Sequence, residues 1–144
     1  MYTNPLMIIP YEKGISRNFV QELQRNIVEV FKSDKRKLEV FVYEHSDRKK
    51  DNEKQEQTDV EVNEKINTAT QNGHDLLILF QPVNYHLNNG SLYSVTYDLV
   101  GVDPANDLVV WKISLQVSSS FGPTVFVDKA AKDILAKLKE DHLL

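Results

Sequence analysis

Five side chains in two short segments are of types that could do chemistry together. Tyr11, Glu12 and Lys13 follow the apolar run at residues 6–9, and Glu44 and His45 follow the alternating run at residues 38–43. A phenol, two carboxylates, an ammonium and an imidazole could furnish an acid, a base and a cation, provided that they converge and their pKa values are shifted. Open α/β sheets bind ligands beyond the carboxyl ends of their strands. Both segments start where a strand is expected to stop, and residues 81–85 would join them after a third strand. Ordinary loop polarity is the simpler account of the same residues.

Other chemistries find less support. No two of His45, His74, His86 and His142 stand at the i, i+2 or i, i+4 spacing that aims two ligands at one metal. The chain has no cysteine, which removes disulfides, thiolate metal sites and thiol nucleophiles. Neither glycine-rich phosphate pattern is present, and Gly14 is a lone glycine before a helix. Ser118, Ser119 and Ser120 form no nucleophile elbow and have no histidine near them in sequence. His74 follows the second helix and fits its negative end. Asn89-Gly90-Ser91 matches a glycosylation sequon, but a hairpin turn accounts for the same residues. No metal and no cofactor are implied.

The elements that must position these groups follow from periodicity. Residues 5–9 read as a first strand closed by Pro10. Phe19, Val20, Leu23, Ile27, Val30 and Phe31 recur at helical spacing over residues 17–31, with Ser16 as the cap. The alternation at 38–43 is a second strand, and the polar stretch at 44–58 reads as a mobile charged loop. A capping box at Thr58 and Glu61 opens a helix over 59–71, ended by Asn72-Gly73. Residues 76–80 are apolar on both faces, as in the middle of a sheet. Turns at 88–90 and 103–107 separate two returning strands. In the last of them Val109, Trp111, Ile113, Leu115 and Val117 share an apolar face opposite Lys112, Ser114 and Gln116. Val127, Ala131, Ile134, Leu135 and Leu138 mark a final helix. The order β-α-β-α-β-β-β-α predicts one α/β domain over residues 1–144, at the boundary with α+β. Its five-stranded mixed sheet has order 2-1-3-4-5 and helices on both faces.

Composition sets outer bounds. At 144 residues, 41% hydrophobic and 26% charged, the chain is expected to be one soluble globular domain. A net charge of -4 offers no general attraction to nucleic acid, and the basic triplet Arg48, Lys49 and Lys50 is surrounded by acids. Trp111, Tyr93 and Tyr97 fall on the apolar face and read as core rather than as a base-stacking platform. No apolar run reaches the roughly 20 residues of a transmembrane segment.

Several segments of the C-terminal half resemble a known group. They are Asp75-Leu76-Leu77-Ile78, Tyr97-x-Leu99 with Asp103, and Val109-Val110-Trp111-Lys112. To these is added Ala130-Ala131-x-x-Ile134-Leu135-x-x-Leu138, ending at Asp141-His142-Leu143-Leu144. This pattern is similar to small bacterial cell-envelope proteins and lipoproteins whose α/β domain is like the N-terminal domain of the Tol-system propeller protein. The resemblance implies a docking module without catalytic residues. It places the protein in the periplasm or envelope if a signal peptide has been removed, and otherwise in the cytoplasm. A lipid anchor is expected only if the sequence is a trimmed piece, since neither a signal peptide nor a lipid-bearing cysteine is present.

Two functions remain open. One is a non-enzymatic interaction or assembly module, docking a protein partner through the antiparallel ribbon face of Lys112, Ser114 and Gln116 or through an edge strand. The alternative is a small-molecule or anion-binding domain, enzymatic or not, at Tyr11, Glu12, Lys13, Glu44 and His45.

Overall fold

Four apolar residues between Pro5 and Pro10 leave the first strand no polar face, which suits an interior place among parallel neighbours. In the computed structural model this strand is β1 (Pro5–Tyr11), buried from Pro5 through Pro10. The structure describes the backbone of residues 1–12, 14–45, 52–88, 91–118 and 123–144, and the side chains of the same ranges except 52–59, 88, 91–93 and 123–126. β1 pairs in parallel with β2 (Glu39–Glu44) on one side and with the start of β3 (Leu76–Asn88) on the other. β3 runs antiparallel to β4 (Ser91–Asp103), and β4 to β5 (Leu108–Ser118). The sheet order is β2-β1-β3-β4-β5, as two right-handed crossovers followed by a meander require.

Helix α1 (Arg17–Ser33) starts where the Ser16 hydroxyl accepts a hydrogen bond from the Phe19 amide at 3.2 Å. Its stripe of Phe19, Val20, Leu23, Ile27 and Phe31 is buried in the larger core, which it shares with Val127, Ala131, Ile134 and Leu138 of α3 (Pro123–Glu140). Helix α2 (Asn52–Thr68) covers the other face, where Val62 and Ile66, with Ala69 just beyond, pack on Leu6, Ile8 and Leu77. This second core stops short of β5. Burying one such aliphatic side chain stabilises the fold by roughly 1.5–3 kcal/mol.

Three expectations need correction. Residues 52–58 belong to α2 and not to a loop, so position 58 lies within the helix and not at its start. Glu53, Lys54, Gln55, Glu56 and Gln57 are all good helix formers, and polarity alone misreads them. Residues 46–51 of the expected loop lie outside the described residues. Residues 81–85 are not a strand-end loop, because β3 continues to Asn88. Pro82 is admitted there because the β1 ladder ends at Ile8↔Leu79 and a register shift between Pro82 and Asn84 bulges the strand. Finally, Val109 is 60% exposed and leaves the apolar face. The register passes from Gly101↔Trp111 to Val102↔Val109, so Val110 is an extra residue that packs with Trp111 on the larger core. Gly101 makes room for this, since a β-carbon there would lie 3.0 Å from Trp111 Cβ.

Polar bonds lock the amino end of the parallel strands. The Asp75 carboxylate accepts from the amides of Thr3 at 2.8 Å and Asn4 at 2.9 Å. The buried His74 ring lies between the Asn4 carbonyl at 3.2 Å and Glu39 Oε2 at 2.8 Å, so a carboxylate rather than a helix end is its partner. Glu39 also accepts from Lys65 Nζ at 3.0 Å. Trp111 Nε1 donates to Asp141 at 2.8 Å, and the Tyr2 amide donates to the Leu143 carbonyl at 2.8 Å. The last two residues, Leu143 and Leu144, are buried.

The Lys65 bond, helped by His74 and opposed by partial burial, holds the Glu39 carboxyl below its ordinary pKa. A lowered folded-state pKa gives stability that is present above the unfolded carboxylate pKa and is lost as pH falls through the folded value. Glu39→Gln should therefore cost about 0.5–1 kcal/mol near neutrality. That cost should vanish once the medium is acid enough to protonate the wild-type carboxylate. Urea midpoints of both proteins across the acid limb check this; a pH-independent difference would contradict it.

Candidate functional site

The structure brings most of the strand-end set together. Tyr11 and Glu44 face each other across the β1–β2 ladder, and the His45 amide donates to the Tyr11 carbonyl at 2.8 Å. Glu12 enters a tight turn, exchanging backbone hydrogen bonds with Ile15 at 3.0 and 3.1 Å. Tyr11, Glu12, Glu44 and His45 are all half-buried. Lys13 lies outside the described residues.

Three further side chains stand here that sequence spacing does not indicate. The Arg17 guanidinium carbon is 6.0 Å from the centre of the Tyr11 ring, a cation–π arrangement. Tyr85 reaches back from the β3 arm over Gly14, where any β-carbon would collide with its ring. Tyr97 on β4 is fully buried, edge-on to Phe80 at 5.5 Å between centroids. Its hydroxyl has no hydrogen-bond partner among the described residues. Burial, with the nearby Glu12 charge, pushes that phenol far above its ordinary range. Only the continuation of β3 past Pro82 places Tyr85 and Tyr97 at this end, and a proline in a strand hides that continuation.

The grooves defined among the described residues lie elsewhere. One of about 330 Å³ runs between Phe41 on β2 and Lys65 on α2, and two others adjoin the turn after α1. Among the described residues no cluster of three His, Asp or Glu could hold a metal ion.

The second candidate surface is the ribbon face. Lys112, Ser114 and Gln116 are exposed on β5, on the α2 face of the sheet but beyond the reach of the small core under α2. Ser114 Oγ donates to Asp98 on β4 at 2.8 Å, across the register pair Asp98↔Ser114. On the opposite side Ile113 and Leu115 are only partly buried against the larger core. Trp111 and Tyr97 are core residues, as expected, and cannot stack bases. The side chain of Tyr93 lies outside the described ones.

No known protein family matches the sequence, and no curated protein matches it either. Solved structures match by shape. The lipoprotein GNA1162 of Neisseria meningitidis is 10% identical with a TM-score of 0.51, over 95% of this chain and 99% of its own. PelC of Paraburkholderia phytofirmans, described as a dodecamer, is 10% identical in two crystal forms. Their TM-scores are 0.54 and 0.53, over 94% of this chain and 89% and 87% of theirs. The likeness to the Tol-system propeller protein finds no support in these comparisons. At this identity the comparisons establish a shared fold.

A buried hydroxyl without a partner costs about 1–3 kcal/mol. Tyr97→Phe should thus leave stability unchanged or raise it by up to about 1 kcal/mol in urea unfolding. A loss above that size would mean that the hydroxyl has a bound partner in solution. The chain shares its fold with the lipoprotein GNA1162 and with PelC, and carries two separate candidate surfaces.

Proposed function

We propose that this chain is a non-enzymatic assembly module of a bacterial envelope, joining a second copy of itself along the outer edge of β5. The observation that carries this reading is the edge itself. β5 is an eleven-residue strand at the end of the sheet, with β4 on one side and, among the described residues, no strand on the other. Such an edge is a template for strand addition. The opposite edge, β2, has only six residues, and Gln24 of α1 already donates to its Val40 carbonyl at 3.3 Å.

The residues of β5 favour an antiparallel copy centred on Ile113. Lys112 then faces Ser114 of the second copy, which keeps the two lysines apart. Lys112 would lie two strand spacings, about 10 Å, from Asp98 of that copy, a gap that a lysine and an aspartate leaning together can span. On the other face the partly buried Ile113 and Leu115 would meet Ile113 and Trp111 of the second copy beside α3. A lysine in mid-edge and a bulge at Val110 discourage flat, unspecific pairing. The likeness to PelC, described as a dodecamer, makes self-association the first partner to consider, and the lipoprotein likeness supports the envelope.

A second reading, a small-molecule or anion site at the strand ends, is favoured by the buried Tyr97 hydroxyl near Glu12, which has no hydrogen-bond partner among the described residues. A stability loss in Tyr97→Phe would raise it above the first.

Light scattering after size exclusion should give twice the chain mass for the wild type. Ile113→Lys puts two lysines at the pairing centre and should give a monomer with unchanged far-UV circular dichroism. A wild-type monomer at the highest soluble concentration, or a dimer that Ile113→Lys leaves intact, contradicts the proposal.

A further inference from the structure

The end of α1 and the turn that follows it hold four of the chain's 17 basic residues within six positions, Lys32, Lys35, Arg36 and Lys37, in a protein of net charge -4. Asp34 is the only acid among them, and its carboxylate is already used. It accepts from Arg36 Nε at 2.6 Å and Lys139 Nζ at 3.1 Å, and those two cations, Arg36 first, hold its pKa below the ordinary value. Lys32, Lys35 and Lys37 are exposed, and no ion pair is formed by any of them among the described residues. Two adjoining grooves of about 450 and 400 Å³ meet here, with Asn4, Lys35, Arg36 and Lys37 in the walls of both.

A purely structural account covers only part of this cluster. A cation in the last turn complements the helix dipole, which explains Lys32. Lys35 lies past the helix, at a φ of 58°. Its amide donates to the Lys32 carbonyl at 3.0 Å and that of Arg36 to the Phe31 carbonyl at 2.9 Å, the pair of bonds that closes a helix on a left-handed residue. Glycine is the ordinary occupant of that position, because a side chain there strains the backbone. Here the strained position carries a lysine whose side chain makes no hydrogen bond or ion pair among the described residues and lines both grooves. His142 closes α3 in the same left-handed way, at a φ of 61°, so what sets Lys35 apart is its place in a cluster of cations lining two grooves.

We propose that these joined grooves bind a multiply charged phosphate anion, held by Lys32, Lys35 and Lys37, with Arg36 fixed in place by Asp34. Two grooves meeting at one cation cluster fit at least two anionic groups. Lysines act as point charges and not as bidentate forks, so recognition is by charge and weakens as salt is added. The same phosphate chemistry can come from a free polyphosphate or from anionic lipid headgroups. The site lies at the amino end of the sheet, away from the β5 edge, and is independent of self-association.

The test uses tripolyphosphate in titration calorimetry, and sedimentation with phosphatidylcholine vesicles that contain or lack phosphatidylglycerol. Binding of tripolyphosphate identifies a free anion as the source, and binding of phosphatidylglycerol vesicles alone identifies headgroups; either supports the site if salt weakens it. The double variant Lys35→Glu with Lys37→Glu should reduce binding at least about tenfold. Lys129→Glu, on the exposed face of α3, should leave it unchanged. Lys35→Gly separates ligand from fold: it should raise the melting temperature by relieving the strain while weakening binding. No binding of either probe overturns the proposal. So does binding that the double variant retains, or a Lys35→Gly protein that is more stable and binds as well as wild type.

Discussion

β1 has no face that tolerates water, and the rest of the architecture follows from covering it twice. Its parallel neighbours β2 and β3 supply the ladders, and the crossovers to them carry α1 and α2 to opposite faces. Only α3 remains to cover the meander, and it lies beside α1. Among the described residues, the outer face of β4 and β5 is left without a helix over it. The polarity of Lys112, Ser114 and Gln116 is the consequence, because a strand with one wet face must alternate.

The two ends of the sheet are built differently. At the amino end Asp75, His74, Glu39 and Trp111 make directed hydrogen bonds to neighbouring elements, and Tyr2 is tied to Leu143. At the carboxyl end the β1–β3 ladder stops at Ile8, the β3–β4 arm runs on, and Val83 and Leu87 stay more than half exposed.

Periodicity carried most of the fold. The alternation of β5, the stripe of α1 and the two-sided apolarity of β1 and β3 each follow from one dominant burial pattern. What stayed hidden depends on pairing. Pro82 looks like a strand end until the absence of a β1 neighbour beyond Leu79 removes the objection to it. Val109 looks apolar-facing until the inserted Val110 shifts its phase. The charged start of α2 shows the reverse problem, since helix propensity in Glu, Lys and Gln leaves no hydrophobic trace. Of the candidate site, Tyr11, Glu12, Glu44 and His45 follow from strand ends alone. Arg17, Tyr85 and Tyr97 need the third dimension, and the lysine at a left-handed position needs a backbone angle.

The account turns on β5 being an edge that a second β5 covers. Hydrogen–deuterium exchange of the amides from Trp111 to Val117, followed at increasing protein concentration, reads that edge directly. Amides bonded to β4 should be protected at every concentration, and the alternate, outward amides should become protected as concentration rises. Outward amides that exchange equally fast at all concentrations would contradict the account.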